Sequence, residues 1–297
     1  MKAFHSLFAF LLFLLVGCEE KPLPGPPVVP DPPDKPVPIR ISTFIETRAT
    51  DAAFEAGDAV GVYVVNRDGS ALSDSGNHAD NVSFTFDGSL WKGSREIYWK
   101  DASTHADFYC YYPWRASVPE VRKLPVAVPA DQSTESGYRS CDILWGRTTD
   151  AAPTSEPVSV RMRHAMSNLL VFLEPGNGYD AASLRADLES VVVKGVLTQG
   201  TLDLSDGSVT ASGEPSEIIP LAEDDHYRAL ILPQTVQDAE LVRVEVGGYS
   251  FPLRTSIVFQ PNRQHKCTLT VNKTSEGIHI GIDSWETDGN DYGGTVN

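Results

Sequence analysis

The chain has 297 residues, 41% of them hydrophobic, and sets 24 Lys and Arg against 40 Asp and Glu for a formal net charge of −16. That apolar content can build one large or two ordinary domains. The acidic balance argues against a nucleic-acid partner, which requires clustered basic residues, and suits an exported surface protein.

Lys2 is followed by the run Leu7 to Val16, made only of Leu, Phe, Ala and Val. A basic start, an apolar core of about ten residues and then small residues form the layout of a secretory signal, expected over residues 1–17. The core is too short to span a bilayer, which takes about 20 apolar residues. Leu15-Val16-Gly17-Cys18 resembles the lipobox of bacterial lipoproteins, which implies that Cys18 becomes the lipidated first residue of the mature chain. Each buried CH₂ of such an anchor contributes about 0.8 kcal/mol, so several acyl chains hold it firmly on a membrane. Residues 18–38 open with Glu19-Glu20 and are then dense in proline. They read as a stiff polyproline II spacer, rising about 3.1 Å per residue.

Order resumes at Val37. Val37, Ile39, Ile41 and Ile45 share one face, while Arg40, Ser42 and Glu46 share the other, with Phe44 the exception. This is the period of a strand with one buried face. Short strands follow at Ala59 to Val65, Asn81 to Phe86, Glu96 to Trp99, Ala106 to Tyr112 and Ile143 to Trp145. Pro113, Pro119, Pro125 and Pro129 read as breaks between them. A second series runs through Val158 to Met162, Leu169 to Leu173, Ser190 to Val193, Gly200 to Leu204, Tyr227 to Leu232, Leu241 to Val246, Tyr249 to Leu253, Lys266 to Val271 and Ile278 to Ile282. Asp87-Gly88, Asp206-Gly207 and Gly247-Gly248 signal hairpins. Asp180 to Glu189 is the one fair helix candidate. Many short strands at regular spacing predict an all-β chain of two tandem β-sandwiches, residues 39–155 and 156–297.

No catalytic constellation is visible: there is no Gly-x-Ser-x-Gly, P-loop, Gly-x-Gly-x-x-Gly or His-Glu-x-x-His. No cofactor, metal or catalytic residue is therefore expected. His164 closes a strand without a nucleophile nearby and reads as structural. Glu223-Asp224-Asp225-His226 does not have the spacing of a calcium loop and reads as a solvated acidic turn, as do Asp283, Glu286, Asp288 and Asp291. Cys110, Cys141 and Cys267 are widely spaced; buried thiols are the first reading, and a Cys110–Cys141 bridge stays open. Tyr109-Cys110-Tyr111-Tyr112-Pro113-Trp114 reads as an aromatic core strand, with Cys110 and Tyr112 on one face and Tyr109 and Tyr111 on the other.

Several of these stretches together resemble the fimbrillin-like (Mfa-like) family of Bacteroidales. They are Phe54-Glu55-Ala56-Gly57-Asp58-Ala59-Val60-Gly61-Val62-Tyr63, Ala106 to Pro113, Asp142-Ile143-Leu144-Trp145-Gly146, Arg163-His164-Ala165-Met166-Ser167-Asn168-Leu169, Ala229-Leu230-Ile231-Leu232-Pro233-Gln234 and Trp285. Glu19-Glu20 resembles the signal that sends lipoproteins to the outer face of the outer membrane. The resemblance implies transthyretin-like sandwiches and a subunit of type V pili. Such a subunit travels as a lipoprotein, is cut by an Arg- or Lys-specific protease and polymerises by strand exchange with other pilus subunits. Arg48-Ala49 matches the place and chemistry of that cut.

The strand Val37 to Glu46 gives the cut a physical sense. It should fill a groove in the first sandwich, and its departure would expose apolar surface and unpaired backbone to a foreign strand. Ile278 to Ile282 reads as the last internal strand, and Glu286 to Asn297 is acidic and Gly-rich, a poor groove-filler. This leans towards a tip or accessory subunit serving adhesion, with an anchor role still open. The alternative is a surface lipoprotein that does not polymerise and binds a glycan or host ligand through Trp91, Trp99 or Trp114.

Overall fold

A computed structural model describes residues 36–45, 53–275, 277–282 and 286–287. The expected signal peptide, Cys18, most of the spacer, Arg48 and Ala49 lie outside the described residues. Among the described residues, no helix is long and apolar enough to cross a membrane.

The strands are β1 (Ile41–Ile45), β2 (Ala59–Asn66), β3 (Ala79–Phe86), β4 (Trp91–Gly93), β5 (Ala106–Tyr112), β6 (Leu124–Ala127), β7 (Leu144–Ala151), β8 (Val158–His164), β9 (Ser167–Pro175), β10 (Leu188–Leu202), β11 (Val209–Ile218), β12 (Leu221–Ala222), β13 (His226–Ile231), β14 (Gln234–Val246), β15 (Tyr249–Phe259), β16 (Arg263–Thr274), β17 (Gly277–Ile282) and β18 (Glu286–Thr287). Two short helices, α1 (Glu135–Arg139) and α2 (Ala181–Asp187), complete the described structure. The chain is all-β, as the alternating patterns predict. The helix expected at 180–189 is α2, capped by Asp180, whose carboxylate accepts from the Ser183 amide at 2.8 Å.

Three sheets form. The first runs β1-β8-β7-β5-β2-β3-β4; the second runs β11-β10-β14-β15, with β6 also on β10; the third runs β12-β13-β9-β16-β17, with β18 also on β16. All three expected hairpins are present. Phe86 pairs with Trp91, Leu202 with Val209, and Val246 with Tyr249. In the last, Gly247 and Gly248 both hold positive φ, as a two-residue hairpin turn with the right twist demands.

Some elements differ from the sequence reading. Ser190 to Val193 and Gly200 to Leu204 belong to one region of continuous pairing, because β10 bulges past Gly195 (φ +67°) and stays paired with β11 on both sides. Glu96 to Trp99 forms only an isolated bridge, Pro38 to Tyr98. The proline-broken stretch contains a strand after all. In β6, Pro125 stands opposite Thr201, and its missing N–H is tolerated because β6 pairs on one side only. Sheet membership also crosses residue 155: β8 follows that position but completes the first sheet, whereas β6 precedes it and pairs with β10.

The central strands of the first sheet are buried on both faces. Val60, Val62 and Val64 of β2, with Phe108 and Cys110 of β5, enter a first apolar cluster that includes Ile39, Ile41, Ile97, Trp99, Val158, Val160 and Met162. Tyr63, Val65, Tyr109 and Tyr111 point the other way, into a second and larger cluster shared with the other two sheets. The aromatic strand is therefore core on both sides, with its faces divided as alternation predicts.

Candidate functional site

β1 is the edge strand of the first sheet and runs parallel to β8, with Ile41 opposite Val158, Thr43 opposite Val160 and Ile45 opposite Met162. Parallel pairing is slightly weaker per residue than antiparallel, and an edge strand has only one such partner. The residues just before β1 reach a second partner. The Ile39 amide donates to the Ile97 carbonyl at 2.7 Å, and the Trp99 amide donates to the Val37 carbonyl at 2.9 Å. The Val158 amide donates to the Arg40 carbonyl at 2.8 Å. Residues 37–45 thus lie in a seat walled by β8 on one side and residues 97–99 on the other.

The side chains explain why the segment stays there. Ile39 and Ile41 are buried in the first cluster, and Val37 and Ile45 pack against it. Burying an Ile side chain contributes about 1.5–3 kcal/mol. On the outer face Phe44 is exposed and lies 5.7 Å from the Arg161 guanidinium, a cation–π contact. The seat ends in a cavity of about 210 Å³ lined by Ile45, Phe54, Glu55, Asp58, Tyr112, Arg139 and Asp142. Its acids are engaged: Arg139 pairs with Glu55 at 3.1 Å, and the Tyr112 hydroxyl donates to Asp58 at 3.0 Å. Burial and then the Asp58 bond push the Tyr112 hydroxyl up to about 12. The segment 46–52, with Arg48 and Ala49, follows Ile45 directly and lies outside the described residues.

Other candidate residues have structural partners. His164 is half-buried, and its Nδ1 lies 2.7 Å from Asp142 Oδ1. Burial alone would lower the His164 pKa, but the Asp142 charge and hydrogen bond outweigh it and raise it. Glu223 pairs with Arg228 and Asp225 with His226, each at 2.7 Å. Cys110, Cys141 and Cys267 are free thiols. Cys110 belongs to the first cluster and Cys141 to the second, on opposite faces of the first sheet, which leaves no bridge between them. Burial pushes all three thiols up to about 12, the mark of inert core cysteines. Trp99 is buried with its Nε1–H on the Thr154 carbonyl at 2.9 Å, and Trp91 packs on Phe54 and Phe86. Trp114 is 37% exposed, with its Nε1–H on the Asn81 carbonyl at 3.3 Å.

The sequence profile of the family described as fimbrillin-like matches residues 47–285. The chain belongs to the fimbrillin-like family. The match begins just after β1. A protein of Bacteroides uniformis, provisionally named fimbrium subunit Fim1C, is 25% identical over 307 aligned positions, covering 96% of this chain and 95% of its own length. A Bacteroides ovatus protein provisionally named fimbrium tip subunit Fim1C is 28% identical over 190 positions, covering 57% of this chain and 34% of its own length. The fold of this fimbrillin-like chain is also that of two crystal structures, both provisionally assigned as cell adhesion proteins. One, from B. uniformis, has a TM-score of 0.64 at 21% identity and covers 84% of this chain and 98% of its own. The other, from B. ovatus, has a TM-score of 0.66 at 16% identity and covers 85% and 97%.

The sequence reading locates the seat's occupant but not its walls. Val158, Val160, Ile97 and Trp99 carry ordinary strand patterns, and nothing local marks them as partners of residues 37–45. Thr43 is the one break in the inward series Ile39, Ile41, Ile45, and that break is the signal that the sequence reading misses.

Proposed function

We propose that this chain is a fimbrial subunit of the type V pilus kind, exported as a lipoprotein through Cys18, cut after Arg48 and joined to its neighbours by exchange of β1. The observation that carries the reading is the position of β1. It lies at a sheet edge, closes an apolar cluster with alternate side chains, and leads directly into the segment that holds Arg48-Ala49. A strand in that position can leave without breaking the centre of a sheet. Its departure exposes both the β8 edge and the Ile39 and Ile41 sites, which invites another strand. The names of the B. uniformis and B. ovatus relatives support assembly in a fimbrium. A tip or accessory position on the cell surface, serving adhesion, is supported by the name of the B. ovatus protein and by the pairing of β17 and β18 with β16, which commits both to their own sheet.

The test is the N-terminus of protein extracted from the cell surface. Processing gives a start at Ala49, and Arg48→Ala abolishes that species and leaves chains beginning at lipidated Cys18. Surface protein that begins at Cys18 in both the wild type and the variant refutes the exchange reading. A lipoprotein that stays anchored and binds a glycan or host ligand is then the better account, with Trp114 as the exposed aromatic.

A further inference from the structure

Thr43 lies on the inward face of β1, in series with Ile39, Ile41 and Ile45. It stands opposite Val160, a fully buried residue, between the Ile41–Val158 and Ile45–Met162 pairs. Every side chain paired along that stretch of β8 at these positions is apolar. The Thr43 hydroxyl oxygen is closed off from solvent and has no hydrogen-bond partner among the described residues. A buried hydroxyl without a partner weakens the state that holds it, whereas a methyl group in the same place carries no such loss.

We propose that Thr43 makes β1 an imperfect occupant of its own seat, so that a strand of another subunit with Val or Ile at the Thr43 register displaces it. This rests on the reading that β1 is exchanged, and adds what the incoming strand must be. It runs parallel to β8 and carries branched aliphatic side chains at the registers of Ile39, Ile41, Thr43 and Ile45. It offers carbonyls at the registers of Val37 and Arg40 and an amide at that of Ile39, because those groups are bonded in the resident strand. Proline is admissible at the register of residue 38, where the resident has one. A strand that fits the seat in every respect except one hydroxyl holds it shut until assembly and yields to a partner that lacks the defect.

The test uses the full chain with a site-specific protease sequence placed within residues 46–52. After nicking, a labelled β1 piece is competed with synthetic peptides of residues 36–45. The Thr43→Val peptide should displace the label at about one tenth of the concentration the native peptide needs, the scale of one unpartnered hydroxyl. The Ile41→Asp peptide should not displace it. Equal competition by the native and Thr43→Val peptides overturns the proposal and leaves exchange itself standing. Failure of every peptide to enter makes β1 permanent and removes both readings. A second measurement does not depend on exchange: in the uncut chain, Thr43→Val should slow amide hydrogen exchange across β1 several-fold. Unchanged or faster exchange there also overturns the proposal.

Discussion

His164 and Asp142 make a pH-dependent contact inside the region matched by the family profile. Because the folded-state pKa of His164 is raised, the pair stabilises the fold fully below the unfolded histidine value of about 6.5. That stabilisation is lost as pH rises through the higher folded value. Asp142→Asn removes the outweighing charge and leaves burial to act alone, so the His164 pKa should fall below that of a free histidine. Ring-proton chemical shifts across the titration check this. Wild-type stability should also drop between pH 6 and the far side of the transition, a drop the variant should lack. The place of His164 at the end of a strand is legible in the sequence, and β8 ends there. Its partner is not, because Asp142 precedes β7 and meets His164 only when β7 and β8 pair at Leu144 and His164.

At the scale of elements, β1 and the turn between β10 and β11 behave differently. Ile41→Ala removes a buried side chain from a strand with a single sheet partner. It should destabilise β1 locally by about 2–4 kcal/mol, read as faster hydrogen exchange at Ile41–Ile45 while β2 and β5 keep their protection. The turn residue Gly207 has φ +80°, and a Cβ there would strike the Trp145 ring. That ring is anchored by its Nε1–H on the Leu204 carbonyl at 2.9 Å. Gly207→Ala combines backbone strain with a clash against a held ring, so denaturant unfolding should show a loss of about 1–3 kcal/mol. Asp206-Gly207 already marks a hairpin in the sequence. The close approach of Trp145 has no such mark, since the tryptophan lies in the other half of the chain.

For the whole molecule, the two apolar clusters divide at the first sheet, and β5 belongs to both. This is why Ala106 to Tyr112 is nearly continuous in apolar and aromatic residues: a strand covered on both faces needs no polar side. The same layout limits what proteolysis in segment 46–52 can do. Release of residues 37–45 opens the first cluster at the β8 edge, whereas the second cluster is built from the other face of the first sheet and from the remaining sheets. Cleaved protein should therefore keep a cooperative unfolding transition while gaining binding of an apolar dye. Loss of the transition on cleavage would mean that β1 holds the whole fold together.

Alternation of side chains determined the all-β class, many of the strand positions though not β6 or β11, the hairpins at Asp87-Gly88, Asp206-Gly207 and Gly247-Gly248, and the buried face of β1. These depend on the chain's own local periods and turn chemistry, which a sequence carries in full. Strand partners are different. Parallel pairing of β1 with β8, the return of β6 to β10 and the seat formed with residues 97–99 join segments far apart in the chain. Many β-rich segments could satisfy the same alternation, and only simultaneous packing of all three sheets selects among them. The cost of Thr43 belongs to that second class. A threonine in a strand is ordinary by propensity, and it becomes a defect only when the tertiary structure closes solvent off from the hydroxyl without giving it a partner.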